Sequence, residues 1–376
     1  MTVKNIVKGL SLATAAIALE PQVALAESQI VISKAEVKLG GDFRYRHEMI
    51  DDATKDEARN RQRFRLRLSI DAGITDDMSI IGRIATGSAT ATSTNQTADG
   101  AFSSKASWID LAYAKWNPSF MKSATIQAGK MKNPFVRVGK SQLVWDGDVN
   151  PEGASLALKA KHSGVELGAR GGYFWIDELK SSEYDVTMLG GQGYIGLKGA
   201  PGKLTIGASV YDFKNVVESP ALTDDGFSGN MSFNLGAGDD AQEVYLNPYT
   251  LTNYFVEFKA KTLPVTLHYD MVRNVDAPDG DNTGWLIGGS IGSGKGEMPV
   301  KLAYFYRDVQ RDAVVASFSD SDFAGGGTDN KGHVIKASLG INKQSKLSAT
   351  YFSNTKGAST DETAYDRAQV DFNVKF

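Results

Sequence analysis

Four arginines alternate with uncharged residues in one short stretch of this chain. Arg61, Arg63, Arg65 and Arg67 occupy every second position. The apolar positions between and beyond them hold Phe64, Leu66, Leu68, Ile70 and Ala72. Successive side chains of a β-strand point to opposite faces, so the two sets would lie on different faces. A guanidinium wall that faces water attracts anions, but nearby acids such as Asp71 could also pair with it as structural support.

The two neighbouring segments carry charges at the same spacing. In residues 42–48, acids and arginines alternate with aromatic side chains, and Arg83 falls on the polar face of the segment after the arginines. If the apolar faces meet lipid, the charged faces must turn inward, because a charge on the lipid side near the bilayer centre costs about 2–4 kcal/mol. The sequence therefore predicts a basic pore lining of Arg44, Arg46, Arg63, Arg65, Arg67 and Arg83.

Residues 132–152 mix apolar side chains with acids. A purely solvated loop would not need Phe135, Leu143, Val144 and Trp145, so this segment is predicted to pack on the inner wall. Its acidic residues are Asp146, Asp148 and Glu152. If they face the arginines, they would constrict the pore and create a transverse field. Two alternatives stay open, namely an external loop at a subunit contact and a cation site formed by the three acids.

These segments belong to a period-two pattern that runs along the whole chain, and no helical period competes with it over any long window. The predicted strands are residues 36–49, 61–74, 78–87, 106–117, 122–131, 153–160, 165–175, 184–199, 203–216, 252–260, 265–275, 284–292, 299–308, 332–341, 346–354 and 364–376. Each pairs an apolar face with a polar one, which suits strands between lipid and a water-filled lumen.

The connections between these segments alternate in length. Short ones, such as 293–298, alternate with long ones, among them 88–105, 217–251 and 309–331. Short periplasmic turns, long extracellular loops and an even strand number are typical of outer-membrane barrels, whereas a soluble sandwich has no reason to alternate loop lengths. The predicted fold is therefore all-β, a transmembrane antiparallel β-barrel of about 16 strands.

The N-terminus has the pattern of an export signal. Lys4 and Lys8 precede an apolar stretch at 10–19, and residues 24–26 fit a small-x-small cleavage site. Residues 1–26 are therefore predicted to be a cleaved signal peptide, and residues 27–376 a single barrel domain. The apolar stretch is shorter than the roughly 20 residues that a spanning helix needs.

Composition excludes several other classes of protein. The chain has no cysteine, so an exported form would have no disulfide framework. Its formal net charge of −3 is close to balance, which argues against general nucleic-acid binding. The four histidines lie near no convincing serine nucleophile, and no metal-ligand spacing occurs. Neither enzyme activity, nor a cofactor, nor a metal site is expected.

Several segments together resemble Gram-negative outer-membrane porins of the general-diffusion type. The residues that carry this resemblance are 41–46, 60–68, 71–76, 127–130, 133–135 and the terminal Phe376. The resemblance implies a sixteen-stranded barrel, usually a trimer, whose third long loop turns inward so that its acids face arginines on the wall. It also implies that the last strand, with Phe372, Val374 and Phe376, carries the insertion signal that barrel-assembly machinery reads.

The expected function is passive diffusion of ions and small hydrophilic solutes through a water-filled channel in the outer membrane. The expected partners are these solutes, outer-membrane lipid and lipopolysaccharide, the barrel-assembly machinery and two further copies of the chain, with no nucleic acid. One alternative is a substrate-selective channel for anions or sugars. Another is a structural or adhesive surface barrel without an open pore.

Overall fold

The computed structural model describes residues 36–180, 184–238, 241–292 and 299–376. The predicted signal peptide and the short connection at 293–298 lie outside the described residues. In chain order, the strands are β1 Glu36–Asp52, β2 Arg59–Gly73, β3 Met78–Thr86, β4 Gln96–Thr97, β5 Ser107–Trp116, β6 Ala124–Lys130, β7 Glu152–His162, β8 Val165–Asp177, β9 Val186–Lys198, β10 Gly202–Lys214, β11 Ser232–Leu235, β12 Gln242–Tyr245, β13 Tyr249–Ala260, β14 Val265–Asn274, β15 Thr283–Gly292, β16 Val300–Val309, β17 Asn330–Gly340, β18 Ser345–Lys356 and β19 Thr363–Lys375.

Sixteen of these strands form a closed antiparallel β-barrel, as the sequence predicts. Each wall strand pairs with its neighbours in the chain, and β19 closes the ring by pairing with β1 from Asp42–Lys375 to Asp52–Tyr365. Backbone hydrogen bonds between Gly41 and Phe376 complete this seam, at 2.8 and 3.1 Å. Because a closed sheet has no free edge, its backbone polar groups are paired within the wall.

Alternation along β2 shows why these residues form a membrane wall. Leu66 and Leu68 on its outer face are 37% and 50% exposed, whereas Arg63 and Arg65 on its inner face are 9% and 6% exposed. The outer face therefore presents apolar side chains to lipid, and the charged side chains lie inside the barrel. No helix in the described part of the chain is long and apolar enough to cross a membrane.

Two long connections fold into the barrel. The first inner loop, residues 131–151, joins β6 to β7, and the second inner loop, residues 310–329, joins β16 to β17. The rings of Trp145 in the first loop and Phe318 in the second are stacked 6.0 Å apart, and Tyr211 and Phe213 of β10 pack against Trp145. The barrel therefore holds an apolar core inside its lumen, and this core fixes both loops to one side of the wall.

Three long connections differ from the sequence-based picture of plain external loops. Residues 309–331, expected outside, include the second inner loop, in which Val314 is fully buried. The connection at 88–105 contains β4, which pairs with β2, and the connection at 217–251 contains the separate β11–β12 hairpin. The physical reason is that the apolar residues of the second inner loop are buried against Tyr249 and other wall residues, a contact that no local pattern reveals.

Candidate functional site: two charged regions of the lumen

The first charged region is the arginine wall, built mainly by β1, β2 and β19. We define it by its six guanidinium groups, which belong to Arg46, Arg61, Arg63, Arg65, Arg67 and Arg367. Residues of β1 and β2 face each other directly, with Arg46 opposite Arg63 and Arg44 opposite Arg65. Strands lie about 4.8 Å apart, so such a crowd of cations requires compensation close by.

Glu48 is the main source of that compensation. Its side chain is fully buried, and its Oε2 accepts hydrogen bonds from Arg367 Nε at 3.0 Å and Gln369 Nε2 at 2.9 Å. Its Oε1 accepts a hydrogen bond from Arg61 Nε, and Arg63 Nη1 lies 4.0 Å away. One carboxylate thus stands between guanidinium groups of β2 and β19, and a buried charge is tolerated only in such a paired setting.

The part of the wall nearer the short turns is neutralised by one wall acid and one loop acid. Asp42 accepts hydrogen bonds from Arg65 Nη2 at 2.6 Å and from Arg67 Nε at 2.8 Å. Arg67 Nη1 also donates to Asp148 Oδ1 of the first inner loop at 3.3 Å. Thr94 Oγ1 donates to the same carboxylate at 3.3 Å. The first inner loop therefore meets the arginines through Asp148.

The second inner loop supplies a further carboxylate to the part of the wall nearer the long loops. Asp322 lies 2.7 Å from Arg367 Nη2 and 3.3 Å from Arg46 Nη1. Arg46 is also held by Asp371 of β19, at 2.6 Å and 2.9 Å. Burial alone would raise the pKa of Asp322, but Arg367 and Arg46 hold that pKa far below its usual range. The carboxylate is therefore ionised and fastens the loop to the wall.

Two of the predicted lining arginines behave differently from the rest. Arg83 pairs with Asp110 of β5, which also accepts a hydrogen bond from Asn150 Nδ2 at 2.7 Å. Arg44 has no ion pair or hydrogen bond to its side chain from any residue that the structure describes, and its Nε is buried without a partner. Arg44 is thus a free cation beside a wall of paired ones.

The three predicted loop acids lie in three different places. Only Asp148 faces the arginines. Asp146 is buried between the two inner loops, where its Oδ2 accepts hydrogen bonds from Ser321 N at 3.0 Å and Ser321 Oγ at 3.1 Å. Burial raises the pKa of Asp146 to about 8, and the nearby Asp320 carboxylate adds to this shift. Asp146 therefore acts as a contact between loops and does not face the arginines.

Glu152 does not belong to the constriction. It is the first residue of β7, lies on the outward face opposite the exposed Trp175, and pairs with Lys130 at 2.7 Å. The expectation that it faces the arginines is wrong, because the inner loop ends one residue earlier and strand parity then turns the side chain outward. The terminal residues Phe372 and Phe376 also lie on the outer face, with Val374 between them.

The second charged region was missed from the sequence. The lysine cluster comprises Lys140 at the tip of the first inner loop and one inward lysine from each of β16 to β19, namely Lys301, Lys336, Lys346 and Lys375. Their outward neighbours Leu302, Ile335 and Leu347 are 50%, 54% and 40% exposed, which places the lysines on the lumen side. Counting inward charges strand by strand could have revealed four lysines on four successive predicted strands.

The comparisons with known proteins agree with this architecture. A family model described as "Putative porin" matches residues 45–235 and 227–376. No match is found among curated protein sequences. Solved structures of similar fold include a loop-deletion mutant of OmpT, an outer membrane protein of Vibrio cholerae. It is 9% identical, with a TM-score of 0.52, over 91% of this chain and 99% of that one.

Two further structures match over similar lengths. Salmonella typhi OmpF, in a complex with daunomycin, is 12% identical with a TM-score of 0.52 over 90% of this chain and 97% of that one. A double mutant of the Rh. blastica porin is 12% identical with a TM-score of 0.50 over 91% of this chain and 100% of that one. At such low identities these structures establish the fold alone. The family model spans nearly the whole described barrel, and the chain therefore belongs to the Putative porin family of outer-membrane β-barrels.

Proposed function

We propose that this porin is a passive diffusion channel for ions and small hydrophilic solutes. The observation that carries this proposal is the meeting of two inner loops with the arginine wall inside a closed barrel, at Asp148 and Asp322. Loops held at such a place would narrow the path through the barrel. Solutes would then be selected by size and by the field of the lining charges, as in other water-filled pores.

The location of the anchors supports a permanent constriction. Asp322 is held by two guanidinium groups, and Trp145 packs against rings of both the wall and the second loop. A loop fixed by charge-assisted hydrogen bonds and by an apolar core has little freedom to swing. We expect a channel of steady conductance whose limiting width is set by both inner loops.

Three further expectations stay predictions. We expect the chain to assemble as a homotrimer, to contact lipid and lipopolysaccharide through its exposed apolar outer face, and to be inserted by barrel-assembly machinery that reads its last strand. We also expect residues 1–26 to be removed during export. The exposed outward position of Phe376, at 63%, is compatible with recognition of the last strand before the barrel closes.

The decisive experiment records single-channel currents from the purified, folded protein in a planar bilayer. Steps of constant size, together with swelling of protein-loaded vesicles in small sugars but not in larger ones, would support a diffusion channel. Asp322→Asn should widen the size limit, because it releases the second inner loop from Arg46 and Arg367. The matched control is Asp279→Asn, which removes an exposed carboxylate paired with Arg273 at 2.8 Å. Silence from demonstrably folded protein would overturn the proposal and favour a structural barrel.

A further inference from the structure

Near the short turns, the inner surface of β16 to β19 carries lysines that have no carboxylate within 4.0 Å among the described residues. Lys301 and Lys346 lie at the beginnings of β16 and β18, and Lys375 ends β19, so all three lie close to the short-turn end. Lys346 and Arg44 both face Asn373, one from each side, across three adjacent strands. Lys336 lies higher on β17, diagonal to Lys301. Closure of the barrel therefore gathers these cations on one continuous inner surface.

Lys140 adds a cation from the opposite side of this surface. The tip of the first inner loop is fixed on β13 by a hydrogen bond from Gly139 N to Glu257 Oε2 at 2.9 Å. Gly139 has a φ of +57°, and a Cβ at this position would lie 2.5 Å from the His268 ring. Burial lowers the pKa of Lys140, and repulsion from Lys301, Lys375 and Lys336 lowers it further. The tip of the loop thus brings Lys140 close to the wall lysines.

In the described part of the chain, no carboxylate forms an ion pair with these cations. None of the five lysines of the cluster has a carboxylate within 4.0 Å, and Arg44 has none either. Two inward acids on neighbouring strands are already paired, Asp371 with Arg46 and Glu257 with Lys259, each at 2.6 Å. Lys336 Nζ instead lies 5.0 Å above the centre of the Phe305 ring. The lysine cluster therefore differs from the arginine wall in that its ammonium groups have no carboxylate partner.

We propose that the lysine cluster and Arg44 form a binding site for small multivalent oxyanions inside the channel. The proposal rests on the proposed diffusion function and names a solute class for it. Ammonium groups are mobile point charges that donate to phosphate-like oxygens from several directions, and the Arg44 guanidinium adds a further cation that no carboxylate pairs within 4.0 Å. Coulomb attraction grows with the charge of the anion, so a dianion gains about twice what chloride gains from the same cations.

The site would act as a resting place on the diffusion path. The low-dielectric barrel wall concentrates the field of the cluster in the lumen, which raises the local concentration of anions. Binding must remain weak enough for the anion to leave, and exposure of the lysines to water keeps it so. We therefore expect saturable passage of phosphate and a partial block of chloride current when phosphate is present.

The first test measures binding of inorganic phosphate to the folded protein in detergent by titration calorimetry at low ionic strength, where exposed charges are least screened. The double variant Lys336→Gln and Lys346→Gln should bind phosphate about tenfold more weakly, since two of the cations are gone. The matched control is Lys159→Gln with Lys203→Gln. These lysines face the lumen on β7 and β10 and are paired with Glu166 at 3.2 and 3.8 Å.

The second test measures phosphate block of chloride current in a planar bilayer for the same proteins. A block that weakens about tenfold in the lysine variant and persists in the control supports the site. The charge-conserving variant Lys336→Arg with Lys346→Arg should restore the block and shows whether loss reflects charge or misfolding. Equal phosphate affinity in wild type, lysine variant and control would overturn the site.

The two tests separate this inference from the proposed function. A channel that conducts but neither binds phosphate nor is blocked by it retains the diffusion function and loses the anion site. A folded protein that conducts no current but binds phosphate, with the expected loss in the lysine variant, retains the site and loses the diffusion function.

Discussion

The arginine wall and the lysine cluster face the same lumen but differ in how their charge is balanced. Guanidinium groups of the arginine wall are matched by acids from the wall and from both inner loops, which are Asp42, Glu48, Asp148, Asp322 and Asp371. No such acid reaches the lysine cluster within the described residues. The number of arginines on a strand therefore does not give the net charge of that part of the lumen, because neighbouring acids neutralise them. Lysines on separate strands that lack such acids keep their positive charge.

The two regions differ because their side chains are buried to different extents and because only the arginines need carboxylate partners. The arginines are largely buried beneath the inner loops, where an unpaired charge would be very costly, so each region of the wall includes a carboxylate. Lys301 and Lys346 are exposed to lumen water and need no partner. The arginine wall therefore mainly holds the inner loops in place, whereas the lysine cluster carries the anion site proposed above.

The largest effect is expected from removing the central acid of the arginine wall. Glu48→Gln leaves Arg61 and Arg367 without their buried carboxylate and should lower the free energy of unfolding by about 3–5 kcal/mol. Denaturant unfolding in lipid vesicles, followed by gel mobility of the folded barrel, measures this change. Glu362→Gln, which removes an exposed partner of Lys331, should change it by less than about 1 kcal/mol. Equal losses in both variants would show that the arginine wall needs no neutralisation.

The next effect concerns pH and the loop that connects both regions. Burial and Asp320 raise the pKa of Asp146 to about 8, above its usual value of about 3.9 when unfolded. The protonated Asp146 carboxyl therefore contributes its full amount to the free energy of unfolding below about pH 4. This contribution is lost as the pH rises through about 8, the pKa in the folded state. The expected slope is at most about 1.4 kcal/mol per pH unit.

Asp146→Asn should flatten this part of the pH profile. The free energy of unfolding of wild type and variant, measured from pH 4 to 9, gives the difference that belongs to Asp146. Glu362→Gln serves as the control and should keep the wild-type slope. Parallel profiles for wild type and Asp146→Asn would contradict a raised pKa at the contact between the inner loops.

A smaller effect is expected from the loop anchor of the arginine wall. Asp322→Asn should weaken attachment of the second inner loop by about 1.5–3 kcal/mol, the range for hydrogen bonds to charged groups. The loss is smaller than for Glu48 because Arg46 keeps Asp371 and Arg367 keeps Glu48. Hydrogen exchange of residues 310–329 reports the change locally. Unchanged protection would mean that the apolar core alone holds this loop.

The smallest effect is expected in the lysine cluster. Lys336→Gln with Lys346→Gln should leave the free energy of unfolding within about 1 kcal/mol of wild type, with any change toward greater stability, because repulsion between cations is relieved. The same variant should shift the reversal potential in a salt gradient toward cation preference. A loss of stability as large as that of Glu48→Gln would erase the distinction between the two regions.

Local pattern was sufficient to predict the wall. The alternation of Arg63, Arg65 and Arg67 with apolar residues fixes which face meets lipid, because a one-residue shift would place charges in hydrocarbon. The same rule gave the sixteen strands and their order. A separate argument predicted that the loop containing Asp148 turns inward. The apolar residues of this loop need a surface to pack on.

Contacts between distant segments were beyond local pattern. Asp322 reaches Arg46 across 276 residues, and no feature near either residue points to the other. The second inner loop was expected outside because it is one of the long connections, which were all assigned to the extracellular side except residues 132–152, and the buried run around Val314 was not recognised. Glu152 was assigned to the loop because the predicted strand began one residue too late. As the first residue of β7, Glu152 follows the strand parity and faces outward.

The sequence by itself determined the barrel, through the number of alternating segments and the alternating lengths of their connections. It also determined strand parity and the inward direction of the arginines, because both depend on alternation within one strand. Only the tertiary structure decided which charges are neutralised. Lys301 and Lys375 lie on one surface because β16 to β19 pair in register, and Arg44 joins them because β19 closes on β1. Lys140 joins them because Glu257 fixes the loop tip. Net charge in a lumen is a property of such assembled neighbours, so a single strand cannot determine it.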